Sequence, residues 1–417
     1  MPSAVPPVSI RPMASSLAWL DFSEQEQRQV LGVVELFRER NTVDELGVGV
    51  VRDTFSDLLF PGTSTLHTRG RYVLFIPWIY QAIERSPTQC QDPWKHARWA
   101  EIRLIDSLVD SEDGEAAIGT VARATLKMFA STAYWAALTT WGLRLFAFSQ
   151  DQYHRWLRAG GHRRLPTPSD EEDADGTGSS AWRGSLPPAP QGFPNGVSFR
   201  FESGESEYIA ERIAMTVPGT LLALLLEERV DVAGIEHPWD LAAVLKLPAN
   251  IQEQLAHASR FSALINGAPL LYNLMLAEKS SRADKDELRE DFEERLSEWA
   301  REIEGRSSEL GRCDRATFWD LVAEAGTRTP PPTRHFIERW LDLTIEGDPG
   351  RIANDRAARR LIGERERAVK RGRARLHNPQ ALALWGGDSG TARLVYRWPN
   401  ARTIVRDVVA GLGDGGA

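Results

Sequence analysis

The sequence predicts a mainly α, multi-helical protein: two helical parts joined by a disordered linker, with at most a small β element near the C-terminus. Three observations predict this. Apolar residues recur at three- and four-residue spacings along most of the chain. No series of alternating strands and helices occurs, which disfavours an open parallel sheet. A stretch over residues 158–198 holds six of the 24 prolines together with Gly176, Gly178, Gly184, Gly192 and the acids Asp170 to Asp175. Such a stretch has too little apolar surface to offset its ordering entropy.

The elements follow in order. Residues 1–15, with Pro2, Pro6, Pro7 and Pro12, read as a disordered lead rather than a signal peptide. The N-terminal helical part covers 16–157. Ser23 and Glu26 form a capping box, and Val30, Val34 and Phe37 continue one apolar stripe behind it. A helix is expected over Val50 to Phe60, broken by Pro61-Gly62. A second starts near Thr63 and runs toward Glu84, bent at Pro77. Trp94 to Val109 and Val121 to Phe148 follow.

The C-terminal part covers 199–410, with a tail over 411–417. Glu205 to Arg229 is split by Pro218-Gly219, and Ile251 to Glu278 is kinked at Gly267 and Pro269. Asp284 to Glu304 carries ten acids and four bases, a solvated face behind Phe292, Leu296, Trp299 and Ile303. Thr317 to Val322 and His335 to Ile345 are shorter helices. Only Arg393 to Trp398 reads as a strand.

Composition excludes several function classes. At 417 residues, 42% hydrophobic and 26% charged, the chain is an ordinary folded protein of two or three domains. Two cysteines make neither a disulfide framework nor a cysteine zinc site. The eight histidines never fall at i, i+4, neither H-E-x-x-H nor C-x-x-C is present, and no metal or cofactor is expected. Gly47 and Gly49 lack the third glycine of a dinucleotide loop, no phosphate-loop motif occurs, and Gly387-Asp388-Ser389-Gly390 reads as a turn rather than a nucleophile elbow. The longest uncharged apolar stretch, Met128 to Leu143, is too short to span a bilayer, so a cytoplasmic protein with no membrane partner is expected.

Two constellations carry candidate chemistry. The first is Thr63, Ser64 and Thr65 with Arg69 and Arg71. A helix beginning at Thr63 would turn free amides, hydroxyls and both arginines toward one anion, in an arrangement like a helix-turn-helix. Capping hydroxyls, with the arginines paired to Asp53 and Asp57, explain the same residues without a ligand. The second is Arg351 to Arg375, which has ten basic residues against Asp355, Glu364 and Glu366. At about 100° per residue, Arg356, Arg360, Arg367, Lys370 and Arg371 share an arc of about 100° free of acid, opposite Ala358, Leu361, Ile362 and Val369. The stripe suits phosphate contact; pairing with the acidic face of Asp284 to Glu304 is the alternative.

Of the 14 tryptophans most lie in apolar helical segments, and only Trp385 and Trp398 neighbour the basic region. Asp151 with His154 reads as a solvated helix end rather than an acid–base pair. His257, Arg260, Asn273 and Glu278 are the residues from which a dispersed active site would be built.

Longer strings carry a resemblance. Trp19-Leu20-Asp21-Phe22-Ser23, Leu58-Leu59-Phe60-Pro61-Gly62-Thr63-Ser64-Thr65 through Arg69, Arg71 and Tyr72, and Gly267-Ala268 through Leu271-Tyr272-Asn273-Leu274-Met275-Leu276-Ala277-Glu278 resemble a bacterial family of unknown function. So do Arg373-Ala374-Arg375-Leu376 and the end through Tyr396-Arg397-Trp398. The resemblance implies no activity; proteins of this kind look like those of accessory and defence-type gene clusters. The expectation is a non-enzymatic protein that binds nucleic acid or a helicase- or nuclease-type partner. An enzyme with a non-standard site and a structural scaffold subunit are the alternatives.

Overall fold

The computed structural model describes residues 44–120, 126, 128–161, 180–311, 314–324 and 328–413. The chain divides into Met1–Glu39, which lies outside the described residues with the expected capping box and its stripe, and a compact unit, Arg40–Ala417. The described residues are helical and hold no strand; a single antiparallel bridge joins Arg144 to Trp182.

Helix α1 spans Gly49–Leu59, α2 Tyr72–Glu84, α3 Pro93–Val109, α4 Ala130–Thr140 and α5 Gln150–Arg158. After the 180–202 coil come α6 Ser203–Thr216 and α7 Leu221–Glu227, parted at Pro218-Gly219 as the sequence predicts. Then follow α8 Ala249–Lys279, α9 Lys285–Gly305, α10 Arg315–Glu324, α11 Pro331–Leu341, α12 Arg356–Lys370 and α13 Trp398–Gly413.

Helix α8 is the axis of the C-terminal half. Its 31 residues rise about 46 Å, and it is buried on almost every side from His257 to Ala277 against α1, α9, α11 and α12. The expected kink region forms one continuous helix. Gly267 is there for packing: a Cβ would lie 2.5 Å from the Trp299 ring, whose Nε1 donates to the Ala263 carbonyl at 2.8 Å and so cannot step aside. Gly267→Ala should therefore lower stability by about 2 kcal/mol, read as a lower urea midpoint with an unchanged slope. Along α9, Phe292, Leu296, Trp299 and Ile303 are buried at spacings of three and four, as expected.

Three expectations are corrected. Residues 162–179 of the expected linker lie outside the described set, but 180–198 is packed coil. Ala181 and Trp182 are fully buried, Trp182 Nε1 donates to the Tyr153 hydroxyl at 3.0 Å, and Trp78 Nε1 takes the Pro187 carbonyl at 2.7 Å. Composition missed this because a few apolar side chains, Trp182, Leu186 and Val197, anchor a segment whose backbone bonds the coil at Leu143 and Leu145 and the side chains of Glu84 and Arg71. Second, Arg393 to Trp398 forms no strand: Tyr396 and Arg397 take left-handed φ of 53° and 62° and turn the chain into α13. The buried Tyr396 hydroxyl holds that turn by donating to the Ala258 carbonyl at 2.7 Å. Third, residues 60–71 separate α1 from α2, so no tight helix-turn-helix exists and no helix begins at Thr63. No helix among the described residues is long and apolar enough to cross a membrane.

Candidate anion-binding surfaces

The loop between α1 and α2 has the free amides an anion site needs, but the chain fills it itself. Thr68 N and Arg69 N both donate to the Tyr134 hydroxyl, at 2.9 and 3.1 Å. Gly70 N donates to Asp407 Oδ2 at 2.7 Å, and Arg69 Nε reaches the same oxygen at 2.9 Å. The anion this loop accepts is the Asp407 carboxylate of α13. Burial pushes that carboxyl above its ordinary range, against the opposing pull of Arg69 and Gly70. Arg69 also pairs with Asp113 at 2.7 Å.

Arg71 is buried as well, donating to Glu205 at 2.7 Å and to the Ser198 carbonyl at 3.0 Å. Both arginines are thus structural ties between the start of α2 and the C-terminal helices, although Arg71 also lines a depression with residues 195–203. Their partners are Asp113, Asp407 and Glu205 rather than Asp53 and Asp57. Asp57 pairs with Arg397 at 2.6 Å, and Asp53 with Arg52 at 3.0 Å and more distantly with Arg397 at 3.7 Å.

Thr63, Ser64 and Thr65 part company with Arg69 and Arg71. They line an open depression of about 690 Å³ together with Arg52, Asp53, Asp57 and Arg397. The Thr63 hydroxyl is spent on the Phe60 carbonyl at 2.6 Å, and Ser64 Oγ accepts the Leu66 amide at 3.2 Å. The two acids balance the two arginines, so the depression offers no net attraction to an anion.

The second constellation resolves differently. Asp355 caps α12, its carboxylate accepting the Ala358 amide at 2.7 Å. Ala358, Ile362, Arg365 and Glu366 face the core. Arg365 points inward, its guanidinium donating to the Leu46 and Gly47 carbonyls at 2.6 and 2.8 Å. Arg359 is held by Glu278 on α8 at 2.6 and 2.7 Å.

Lys370 leaves the stripe altogether. Its ammonium sits between Glu45 and Glu366 and donates to the Tyr272 hydroxyl at 2.7 Å. Tyr272 in turn donates to Glu366 at 2.6 Å, and Arg375 bonds Glu45 at 2.8 Å. The expected five-residue stripe therefore loses Lys370, because a long side chain at the end of a helix reaches back to two buried carboxylates.

Arg356, Arg360, Arg367 and Arg371 remain, and all four are exposed. Among the described residues none of the four makes an ion pair or a side-chain hydrogen bond, and neither does the exposed Arg373 on the following turn. Helix α9 does not cover them. Of its acids, Glu293 and Asp291 pair within the helix with Arg289 and Arg295, and Glu302 pairs with Arg306 and Arg393. On the α12 spiral Arg356, Arg360 and Arg367 fall within about 40°, nearly opposite the core-facing residues. Gly363 lies about 20° outside that arc, beside Arg356, and a glycine inside a helix costs about 0.5–1 kcal/mol relative to alanine.

The other candidates are interior. Trp385 and Trp398 are fully buried, their Nε1 atoms donating to Asn273 Oδ1 at 3.1 Å and to the Ile235 carbonyl at 3.0 Å, so neither borders a ligand surface. Among the described residues the tryptophans that face solvent are Trp94 and Trp99 on α3, at 56% and 63%. His154 bonds the Tyr80 hydroxyl at 3.0 Å while Asp151 is exposed. His257 and Glu278 are both on α8, about 30 Å apart along its axis, and so share no cleft.

No curated protein and no solved structure has significant similarity to the chain. The strings quoted above run the length of one family match, over residues 14–412, and the chain belongs to that family, DUF6361, a family of unknown function.

Proposed function

We propose that the protein binds the phosphate backbone of a nucleic acid through the outer face of α12 and the turn after it. The observation that carries the reading is the set of four arginines, Arg356, Arg360, Arg367 and Arg371, exposed and without protein partners among the described residues. Arg359, Arg365 and Lys370 of the same helix are committed to the fold. Unpaired guanidinium groups on one helix face gain by meeting anions, and a phosphate accepts their paired donors well. A net charge of −8 does not oppose this locally, because the acid is concentrated elsewhere, above all in α9.

The test is fluorescence anisotropy with a labelled 20-mer, single-stranded and duplex, at rising salt. Four released contacts correspond to a log–log salt slope of about −3.6 on duplex and about −2.8 on a single strand. The variant with Arg356, Arg360, Arg367 and Arg371 all changed to Glu should lose tenfold or more in affinity and most of that slope. Its Tm should fall only slightly, since no side-chain contact is removed and the one cost is acid replacing base at the C-terminal end of α12. No binding by the native protein at about 50 mM salt, or equal binding by the variant, overturns the reading.

A further inference from the structure

Between Arg360 and Arg367 along the axis, at the edge of the arginine face, the half-buried Gly363 leaves the backbone without a side chain, and no close packing requires it. Gly363 lies one turn from Arg360 and one turn from Arg367, in the interior of α12. A Cβ built there meets only His377 Nε2, at 3.9 Å, an ordinary contact, and its φ is not left-handed. Gly204, Gly305 and Gly413 are equally open but stand at helix ends, where glycine costs little, whereas the interior glycines of α8 and α13 are packed. At Gly267 a Cβ would strike the Trp299 ring at 2.5 Å, and at Gly411 it would strike Ser206 Oγ at 2.1 Å and Phe201 Cβ at 2.9 Å. Packing explains Gly267 and Gly411 and leaves Gly363 unexplained, though glycine is the least favourable ordinary residue inside a helix.

We infer that Gly363 is a contact point at which a nucleic-acid strand lies directly against the α12 backbone. Glycine serves where a ligand must approach the main chain more closely than a side chain permits. Along the helix axis Arg356 and Arg360 stand about 10 and 5 Å to one side of Gly363, and Arg367 about 6 Å to the other. A strand running along the helix then has phosphates on the arginines at both sides and its sugar edge in the gap between them, with the exposed His377 ring at the rim. The inference rests on the nucleic-acid reading above and adds where the strand crosses.

The test pairs Gly363→Ala with Gly363→Leu in the full chain, measuring Tm and anisotropy with the same labelled 20-mers. Alanine should raise Tm by about 1–2 °C, because a better helix former replaces glycine at no steric cost. The same change should weaken binding about tenfold, and leucine should weaken it further with Tm still at or above the native value. Unchanged affinity in both variants overturns this inference while the arginine reading stands. A fall in Tm with alanine also overturns it, since the glycine would then be needed by the fold. No binding by the native protein overturns both.

Discussion

Replacing Lys370 by methionine should lower stability by about 3–5 kcal/mol at neutral pH, the range expected when one partner of a buried ion pair is removed. Lys370 is the hinge of a closed polar cluster. Glu45, ahead of α1, and Glu366, within α12, are 4% and 0% exposed at the side chain, and Lys370 faces both. Methionine keeps the length of the side chain and so isolates the charge. Arg375 still bonds Glu45 at 2.8 Å, and Glu366 keeps the Arg375 and Leu376 amides at 2.6 and 3.0 Å, so the variant should fold, but with one buried carboxylate in excess.

Burial holds the Lys370 ammonium below its ordinary value against the pull of Glu45 and Glu366, so the acid side of the pH dependence follows from Glu45. Burial alone would raise its carboxyl, but Lys370, with Ser389 and Arg375, outweighs burial and holds it below its ordinary value of 4.5. A lowered carboxyl stabilises the folded state above pH 4.5, and that stability is lost as pH falls through the folded value. In the variant the main opposing charge is gone, so the carboxyl rises and takes up its proton first. The gap between native and variant should therefore be widest near pH 7 and narrow below about pH 5. Glu45→Gln added to Lys370→Met should recover part of the loss. Urea unfolding measures all three proteins; a loss under about 1 kcal/mol at pH 7 would show that Arg375 alone neutralises the cluster.

How much of this was legible in the sequence depends on whether the deciding interaction was local. The helical class, the break at Pro218-Gly219 and the buried stripe of α9 follow from spacing alone, and the structure has them. The basic arc of α12 was legible too, because Arg356, Arg360 and Arg367 are set by helical geometry within a few turns. What was not legible is which bases the fold consumes. Lys370 is claimed by Glu45, some 325 positions earlier, and Arg69 by Asp407, some 338 later. Neither spacing nor local charge balance carries such a pairing. The same holds for the loop before α2: its hydroxyls and amides looked free only because Tyr134 and Asp407 are distant in sequence. Gly363 was within reach. A glycine beside an otherwise charged helical face runs against helix propensity, a conflict that spacing alone displays.

One core anomaly was equally readable and yields the second large effect. On α3 the inward residues Ala97, Leu104, Ile105 and Leu108 share their stripe with Glu101, a carboxyl at an apolar position. Glu101 accepts the Ser131 amide at 2.9 Å and the Ser131 hydroxyl at 2.6 Å, and no cation pairs with it among the described residues. Burial pushes its carboxyl from 4.5 up to about 7, with the two Ser131 bonds opposing. A raised carboxyl means that the folded state still holds its proton after the unfolded chain has released it. Stability is thus full below about pH 4.5, falls as pH rises, and has lost on the order of 3 kcal/mol above about pH 7. Glu101→Gln removes the titration and keeps both contacts, since an amide oxygen accepts the Ser131 N–H and an amide N–H donates to its hydroxyl. The variant should match the native protein at pH 4.5 and exceed it at pH 8 by on the order of 3 kcal/mol, read as a higher urea midpoint. A difference independent of pH would show that Glu101 ionises in the fold as it does in water. The Ser131 hydroxyl is also reached by Gln150 Nε2 at 2.8 Å, which bonds Tyr80 at 2.9 Å, so Glu101 anchors a polar chain joining α2, α3, α4 and α5. That chain fixes how the N-terminal helices meet, and the cost of its buried carboxyl appears only when the pH rises far enough to ionise it.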